Sequence, residues 1–322
     1  MRKIGTEDIG RREFLRGSLA AVAAGLTTAS PLRDVSASTS GVTTDSSRHQ
    51  GSEDPPPTLG ERRKFLTPYA VFRELQLGSV TPRGWLLEEL TKQANRLSRP
   101  QSDFAFPFDR RYWASNERGQ NEESRNGGIF WYPWEQMGYW VDGSYRCAKL
   151  TNDGHLHKQA MESIRYTVDH PVDGWYLGPK LLHDLPASKD PGRWPQAVFF
   201  RALAGASEGE NDPSIMTAMC THYLRDTGSD YQHGPYGPRD RVNIESILWC
   251  YAHSGDERLL LKAKEIWSKV PPSDLEELTA DRPSNMHGVT FAEVSKLGAL
   301  LYMYTGNTQQ LDVSVAAMHR IF

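Results

Sequence analysis

The chain is poor in cysteine, nearly neutral overall, and without a long apolar run. Its three cysteines, Cys147, Cys220 and Cys250, are an odd number, widely spaced, and none belongs to a C-x-x-C pair, so no disulfide framework or paired-cysteine metal motif is legible. Each lies in an apolar helical context, where a free cysteine behaves as a small buried hydrophobe. The 37 basic and 40 acidic residues leave a formal charge of −3. That balance lacks the basic face of a nucleic-acid binder. Mean hydropathy is −0.58, and no run of some eighteen apolar residues is present to make a membrane span. Also absent are G-x-S-x-G, the phosphate-cradling G-x-x-x-x-G-K and the metalloprotease H-E-x-x-H. His155 and His157 stand two residues apart in "NDGHLHKQ"; on a helix they diverge, and they are expected at the surface rather than on a metal.

Amphipathic rings, by contrast, are plentiful, with 9 tryptophans and 13 tyrosines. Six aromatic residues fall between Phe130 and Trp140 in "NGGIFWYPWEQMGYWVDGSYRC", and Glu135 and Asp142 sit among them.

The first residues have a separate character. Arg11 and Arg12 precede Phe14 and Leu15, a short apolar stretch runs from Leu19 to Leu26, and small residues follow to Ala29. A basic start, a brief apolar segment and small residues form an export signal too short to span a bilayer. Paired arginines followed by x-Phe-Leu resemble the bacterial twin-arginine signal, which implies a periplasmic or extracellular protein. Residues 1–37 are expected to be this signal, with cleavage after Ala29 or Ala37. Residues 38–61, rich in Ser, Thr, Gly and Pro, are expected to be a disordered linker, and residues 62–322 the folded domain.

Within that domain the chain repeats. "VTPRGWLLEELTKQANRL" opens with Pro82 and Gly84 before an apolar-periodic helix. Then "CAKLTNDGHLHKQAMESI", "FFRALAGASEGENDPSIMTAMCTHYL", "WCYAHSGDERLLLKAKEIW" and "LYMYTGNTQQLDVSVAAM" each show a helix end, a turn of Gly with Asp or Asn, and a second helix. Gly and Asn tolerate the left-handed conformation that ends a helix. Turns near residues 153, 211, 255 and 306 make αα-hairpins in series. Long connections such as "HPVDGWYLGPKLLHDLPASKDPGRW" are of the kind that build sites. The expected fold is all-α, an (α/α)6 toroid whose inner helices line a cleft. About four hairpins are legible, and "VSVAAMHRIF" stops inside an outer helix, so the toroid is expected to be incomplete.

A helix over the aromatic stretch puts Glu135, Tyr139, Asp142 and Arg146 on one face; the bland alternative is a salt-bridged network with Arg146 holding both carboxylates. Asn243 and Glu245 open the third hairpin, and His287 and Glu293 the fourth. Singly these are an N-cap, a turn residue and a solvated face. Together, at the starts of successive inner helices, they are expected to converge. Carboxylates beside ring platforms suit carbohydrate, and glycoside cleavage uses two carboxyl groups. The candidate substrate-binding residues are Trp134, Glu135, Tyr139, Asp142, Asn243, Glu245, His287 and Glu293.

Six segments in order, "VTPRGWLLEELTKQANRL", "YPWEQMGYWVDGSYRCAKL", "DGWYLGPK", "RWPQAVFFRAL", "NIESILWCYAHSGDERLL" and "HGVTFAEVSKLGALLYMYTGN", resemble the helical domain of the β-L-arabinofuranosidase-like glycoside hydrolases over residues 70 to 322. The resemblance implies an (α/α)6 catalytic barrel acting on plant-derived glycans. It also implies a zinc-bound cysteine nucleophile with a glutamate and further cysteines, all located after the histidine-glycine-valine segment. No cysteine follows Cys250, so that zinc-cysteine motif is not carried onto this chain and no catalytic or metal residue is assigned. The expectation is a glycoside hydrolase-like protein without activity as this chain. The alternatives are a non-catalytic carbohydrate-binding toroid, or a lyase or unsaturated-uronide hydrolase, against which the acidic stripe argues.

Overall fold

Four turns of one pattern build the fold. At Asn152–Asp153, Asn211–Asp212, Gly255–Asp256 and Gly306–Asn307 the first residue is left-handed, with φ of 57°, 52°, 73° and 66°. The second residue caps the next helix: an Oδ1 atom accepts from the backbone N–H of Leu156 (2.9 Å), Ser214 (2.8 Å), Arg258 (3.0 Å) and Gln309 (3.0 Å) in turn. Glycine and asparagine enter that conformation at low cost. A capping oxygen satisfies an N–H that the helix start leaves orphaned. The sequence positions of these turns are those expected.

The computed structural model describes residues 67–72, 74–97, 112–115, 132–184, 192–232 and 238–321, all within the unit Pro55–Phe322. The segments expected to be a signal (1–37) and a linker (38–61), and residues 126–131 of the aromatic stretch, lie outside them. Among the described residues the helices are α1 (Gly84–Leu97), α2 (Tyr132–Thr151), α3 (Gly154–Asp169), the single turn α4 (Lys180–His183), α5 (Trp194–Gly209), α6 (Pro213–Arg225), α7 (Asn243–Ser254), α8 (Glu257–Ser268), α9 (Pro272–Thr279), α10 (Gly288–Ser295), α11 (Leu297–Thr305) and α12 (Thr308–Ile321). A 3-10 turn, Pro238–Val242, leads into α7. Extended backbone pairs once among these residues, at the isolated bridge Val172–Tyr176. The protein is all-α.

The first helices of the hairpins stand in a row: α2 packs on α5, α5 on α7, and α7 on α11. The second helices pack each against its own partner, and α3 and α6 also reach the next first helix, α5 and α7. In the fourth hairpin the first helix is broken at Lys296 into α10 and α11. None of the described helices is long and apolar enough to cross a membrane.

One core runs through all four hairpins, with Trp113, Trp134, Trp194, Phe199 and Phe200 essentially fully buried. Trp113 lies flat on Phe199, centroids 3.9 Å apart, and its indole N–H donates to the Trp134 carbonyl at 2.8 Å. Each such ring contributes roughly 1.5–3 kcal/mol on burial. Close backbone approaches occur where side chains are missing. At Gly138 of α2 a Cβ would lie 2.9 Å from Val198 Cγ1 of α5, and at Gly298 of α11 it would meet the Gln310 carbonyl of α12. The segment before α1 crosses the row. Tyr69 N–H donates to the Met303 carbonyl of α11 at 3.3 Å, and Gln76 Nε2 donates to the Glu208 carbonyl of α5 at 2.7 Å.

Candidate functional site

The starts of α2, α5, α7 and α10 bring one group of side chains together. Glu135, in the first turn of α2, is 9% exposed. Burial pushes its carboxyl above the usual carboxylate range, while the Trp194 indole, Arg239 and the Tyr139 hydroxyl pull the other way. Tyr139 lies one turn on. Burial and then the Glu135 charge push its phenol up to about 12, so it stays protonated and keeps a donor. Trp194 opens α5, Arg239 comes from the 3-10 turn, and His287 is the N-cap residue of α10.

Arg239 ties the group. Its Nε donates to Thr290 Oγ1 at 2.8 Å, its terminal nitrogen lies 3.3 Å from His287 Nδ1, and its guanidinium stands over the Trp194 ring at 5.5 Å. A guanidinium only donates, so His287 Nδ1 accepts and the ring proton sits on Nε2. His287 is exposed, and that N–H is a donor toward solvent or ligand.

Beside this group is an ion-pair network that spans α5, α7 and α10. Arg201 donates to Glu293 Oε2 at 2.6 Å and approaches Glu245 Oε2 at 3.4 Å; Lys296 reaches the same two oxygens at 3.0 and 2.9 Å. Burial opposes the Glu293 charge, yet Arg201 and Lys296 win and hold its carboxyl below the ordinary range. Tyr139 feels both Arg201 and Glu293, and so links network and group. Glu293 is therefore an ion-pair partner and not a solvated face. Glu245 also borders a cavity of about 520 Å3 between residues 67–72 with Glu74 on one side and helices α7 and α11 on the other, with Trp249, His253 and Tyr304 on its wall.

Five of the eight expected residues, Glu135, Tyr139, His287, Glu245 and Glu293, thus fall in these two linked clusters. Three do not. Trp134 is 1% exposed and packs in the core. Asp142 lies about 10 Å farther along α2, bonded to Arg146 at 2.7 Å; Arg146 holds Asp142 but not Glu135. Asn243 is fully buried and saturated. Its Nδ2 donates to the Arg193 and Asp240 carbonyls, both at 2.8 Å, and its Oδ1 accepts from Tyr223 at 2.9 Å. It fixes the start of α7 against that of α5. His157 also departs from a simple surface role, with Nε2 at 2.9 Å from Glu210 Oε1, while His155 is exposed.

Sequence reasoning missed Trp194, Arg201, Arg239, Thr290 and Lys296. The available signal was an arginine just before the first helix of each of two hairpins, in "GRWPQ" and "RDRVN". Arg193 serves as scaffold: its guanidinium grips Asp226 through both oxygens at 2.7 and 3.1 Å, and Tyr231 adds a bond at 2.8 Å.

Among the described residues no group of three His, Cys, Asp or Glu side chains could hold a metal ion. No family model, curated protein or solved structure matches the chain.

Proposed function

We propose that this is an exported carbohydrate-recognising domain of the α/α-toroid class, akin to the β-L-arabinofuranosidase-like glycoside hydrolases. In this reading the Glu135 group grips the terminal sugar of a plant-type glycan. One observation carries it: Glu135, Tyr139, Trp194, Arg239 and His287 come from four separate chain segments to one place. They supply a carboxyl lifted by burial, a phenol that keeps its proton, an exposed imidazole N–H, a guanidinium and an indole ring. A sugar presents vicinal hydroxyls that donate and accept, and a C–H face that stacks on rings, so it uses every part of such a set. The row of first helices supports the toroid, because each one starts at the same group. Glycoside cleavage takes two carboxyl groups. Glu245 and Glu293 are engaged by Arg201 and Lys296, so the residues named here are given binding roles and no catalytic one.

Arg239 favours a second reading, in which the sugar is anionic, as for an unsaturated uronide. Titration of tryptophan fluorescence with oligosaccharides ending in β-L-arabinofuranose, and with uronide-ended ones, separates the two. Saturable binding of the neutral series, weakened about tenfold in Glu135→Gln, supports the first reading. Preference for the uronide series, lost in Arg239→Met, supports the second. Binding of neither series, or wild-type affinity in both Glu135→Gln and Arg239→Met, sinks the site.

A further inference from the structure

The cavity of about 520 Å3 beside Glu245 is closed on one side by the segment that precedes α1. Tyr69 holds that segment in place. Its N–H donates to the Met303 carbonyl at 3.3 Å, and its ring lies against Gly306, where a Cβ would stand only 2.5 Å from it. Small-molecule sites run from roughly 300 to 1,000 Å3, and this cavity falls among them. Much of its wall is apolar, from Val71, Leu248, Leu300 and Met303, with the rings of Trp249 and Tyr304. Glu74, Glu245 and Trp249 also line a neighbouring cavity of about 140 Å3. Two carboxylates and an indole thus stand together where the cavities meet.

The donors of Trp249, His253 and Tyr304 are spent on the protein itself. The Trp249 indole N–H goes to Glu208 Oε1 at 2.8 Å. His253 has Nδ1 at 2.7 Å from the Trp249 carbonyl and Nε2 at 3.1 Å from Glu208 Oε1, and its ring lies 4.0 Å from that of Trp249. The Tyr304 hydroxyl donates to the Leu248 carbonyl at 3.4 Å. A carboxylate only accepts. Glu245 has Arg201 and Lys296 on one oxygen, Oε2, and neither cation lines the larger cavity. Glu74 is exposed. The chamber therefore offers carboxylate acceptors, ring faces and apolar surface, and its ring side chains add no donor. A neutral sugar needs donors and acceptors alike and matches it poorly; an anion is repelled. A cation with a carbon body uses all three features. Carboxylates meet its charge, ring faces attract it, and the rest of it displaces water from the apolar wall.

We propose that this cavity binds a small organic cation, an alkylammonium whose charge is met by Glu74 and Glu245 and whose carbon body lies against Trp249, Leu300 and Met303. The site is separate from the Glu135 group, and the inference does not rest on the glycan reading.

The test titrates the intact, folded chain in a calorimeter at pH 7 and low ionic strength. One probe is 3,3-dimethylbutylammonium; the other is 3,3-dimethylbutan-1-ol, which has the same carbon skeleton and no charge. The expected result is saturable one-site binding of the ammonium, with the alcohol weaker by about tenfold. Glu74→Gln is expected to weaken the ammonium about fivefold, and the exposed position of Glu74 leaves the fold unaffected. Glu162→Gln removes an exposed carboxylate of α3 that lines neither cavity, and is expected to keep wild-type affinity. Equal affinity for ammonium and alcohol would mean an apolar cavity only and overturns the proposal. So does saturable binding of neither probe, or the same ammonium affinity in Glu74→Gln and Glu162→Gln.

Discussion

His222 should make the folded chain sensitive to mild acid. It lies on α6 with no exposed surface, ringed by Tyr176, Phe200 and Tyr223, and its Nδ1 accepts the Leu177 N–H at 3.0 Å. Burial pulls its folded-state pKa down to about 3, against a weaker opposing pull from Asp226. In the unfolded chain it titrates near the ordinary value of about 6.5. Because the folded-state value is lowered, the unfolded chain binds the proton first. Stability is then whole above about pH 6.5 and falls as pH drops toward 3. The cost works out at about 2 kcal/mol between pH 7 and pH 5, and roughly 4 kcal/mol by pH 3. Urea unfolding at pH 7 and pH 5 measures it. His222→Asn keeps an acceptor near the Nδ1 position but cannot titrate, so its loss over that interval should be smaller by about 2 kcal/mol, whatever its absolute stability. Asp226, whose carboxyl is held low by Arg193 against its burial, contributes its own acid dependence lower in pH and in both proteins alike. Equal losses in wild type and variant would refute the assignment. So would an imidazole NMR titration showing His222 taking up its proton near pH 6 in the folded protein.

Two further outcomes bear on the scaffold. Gly298→Ala drives a Cβ into the Gln310 carbonyl and should cost about 1–3 kcal/mol; Gly228→Ala, with nothing within 4 Å of its Cβ, should stay within roughly 0.5 kcal/mol, and equal denaturation midpoints for the two would remove the close α11–α12 approach. Asp226→Ala strands the Arg193 guanidinium, whose side chain is 13% exposed, and should cost about 3–5 kcal/mol; a midpoint within error of wild type in urea would show that the pair holds nothing.

Local chemistry sets the hairpins. A left-handed Gly or Asn followed by an Asp or Asn cap is local chemistry, complete within a few residues, so all four turns could be read without any knowledge of packing. The burial of all three cysteines followed from the apolar periodicity around them. The convergence of the first-helix starts was half legible. Glu135 and His287 were named from the positions they hold relative to helix starts, and those starts do share one end. Which polar residues are partners and which are scaffold depends on packing between hairpins. Asn243 and Glu245 lie two apart in the same turn, yet one is sealed by Arg193, Asp240 and Tyr223 while the other faces Arg201 and Lys296. Helical periodicity gives the direction of a side chain but not the neighbour it meets. Arg239 was invisible for the same reason: it sits outside any periodic helix, and its importance comes from Trp194 and His287, residues 45 and 48 positions away in the chain. Long-range partners of that kind are set by the packing of one hairpin on the next, which no local pattern records.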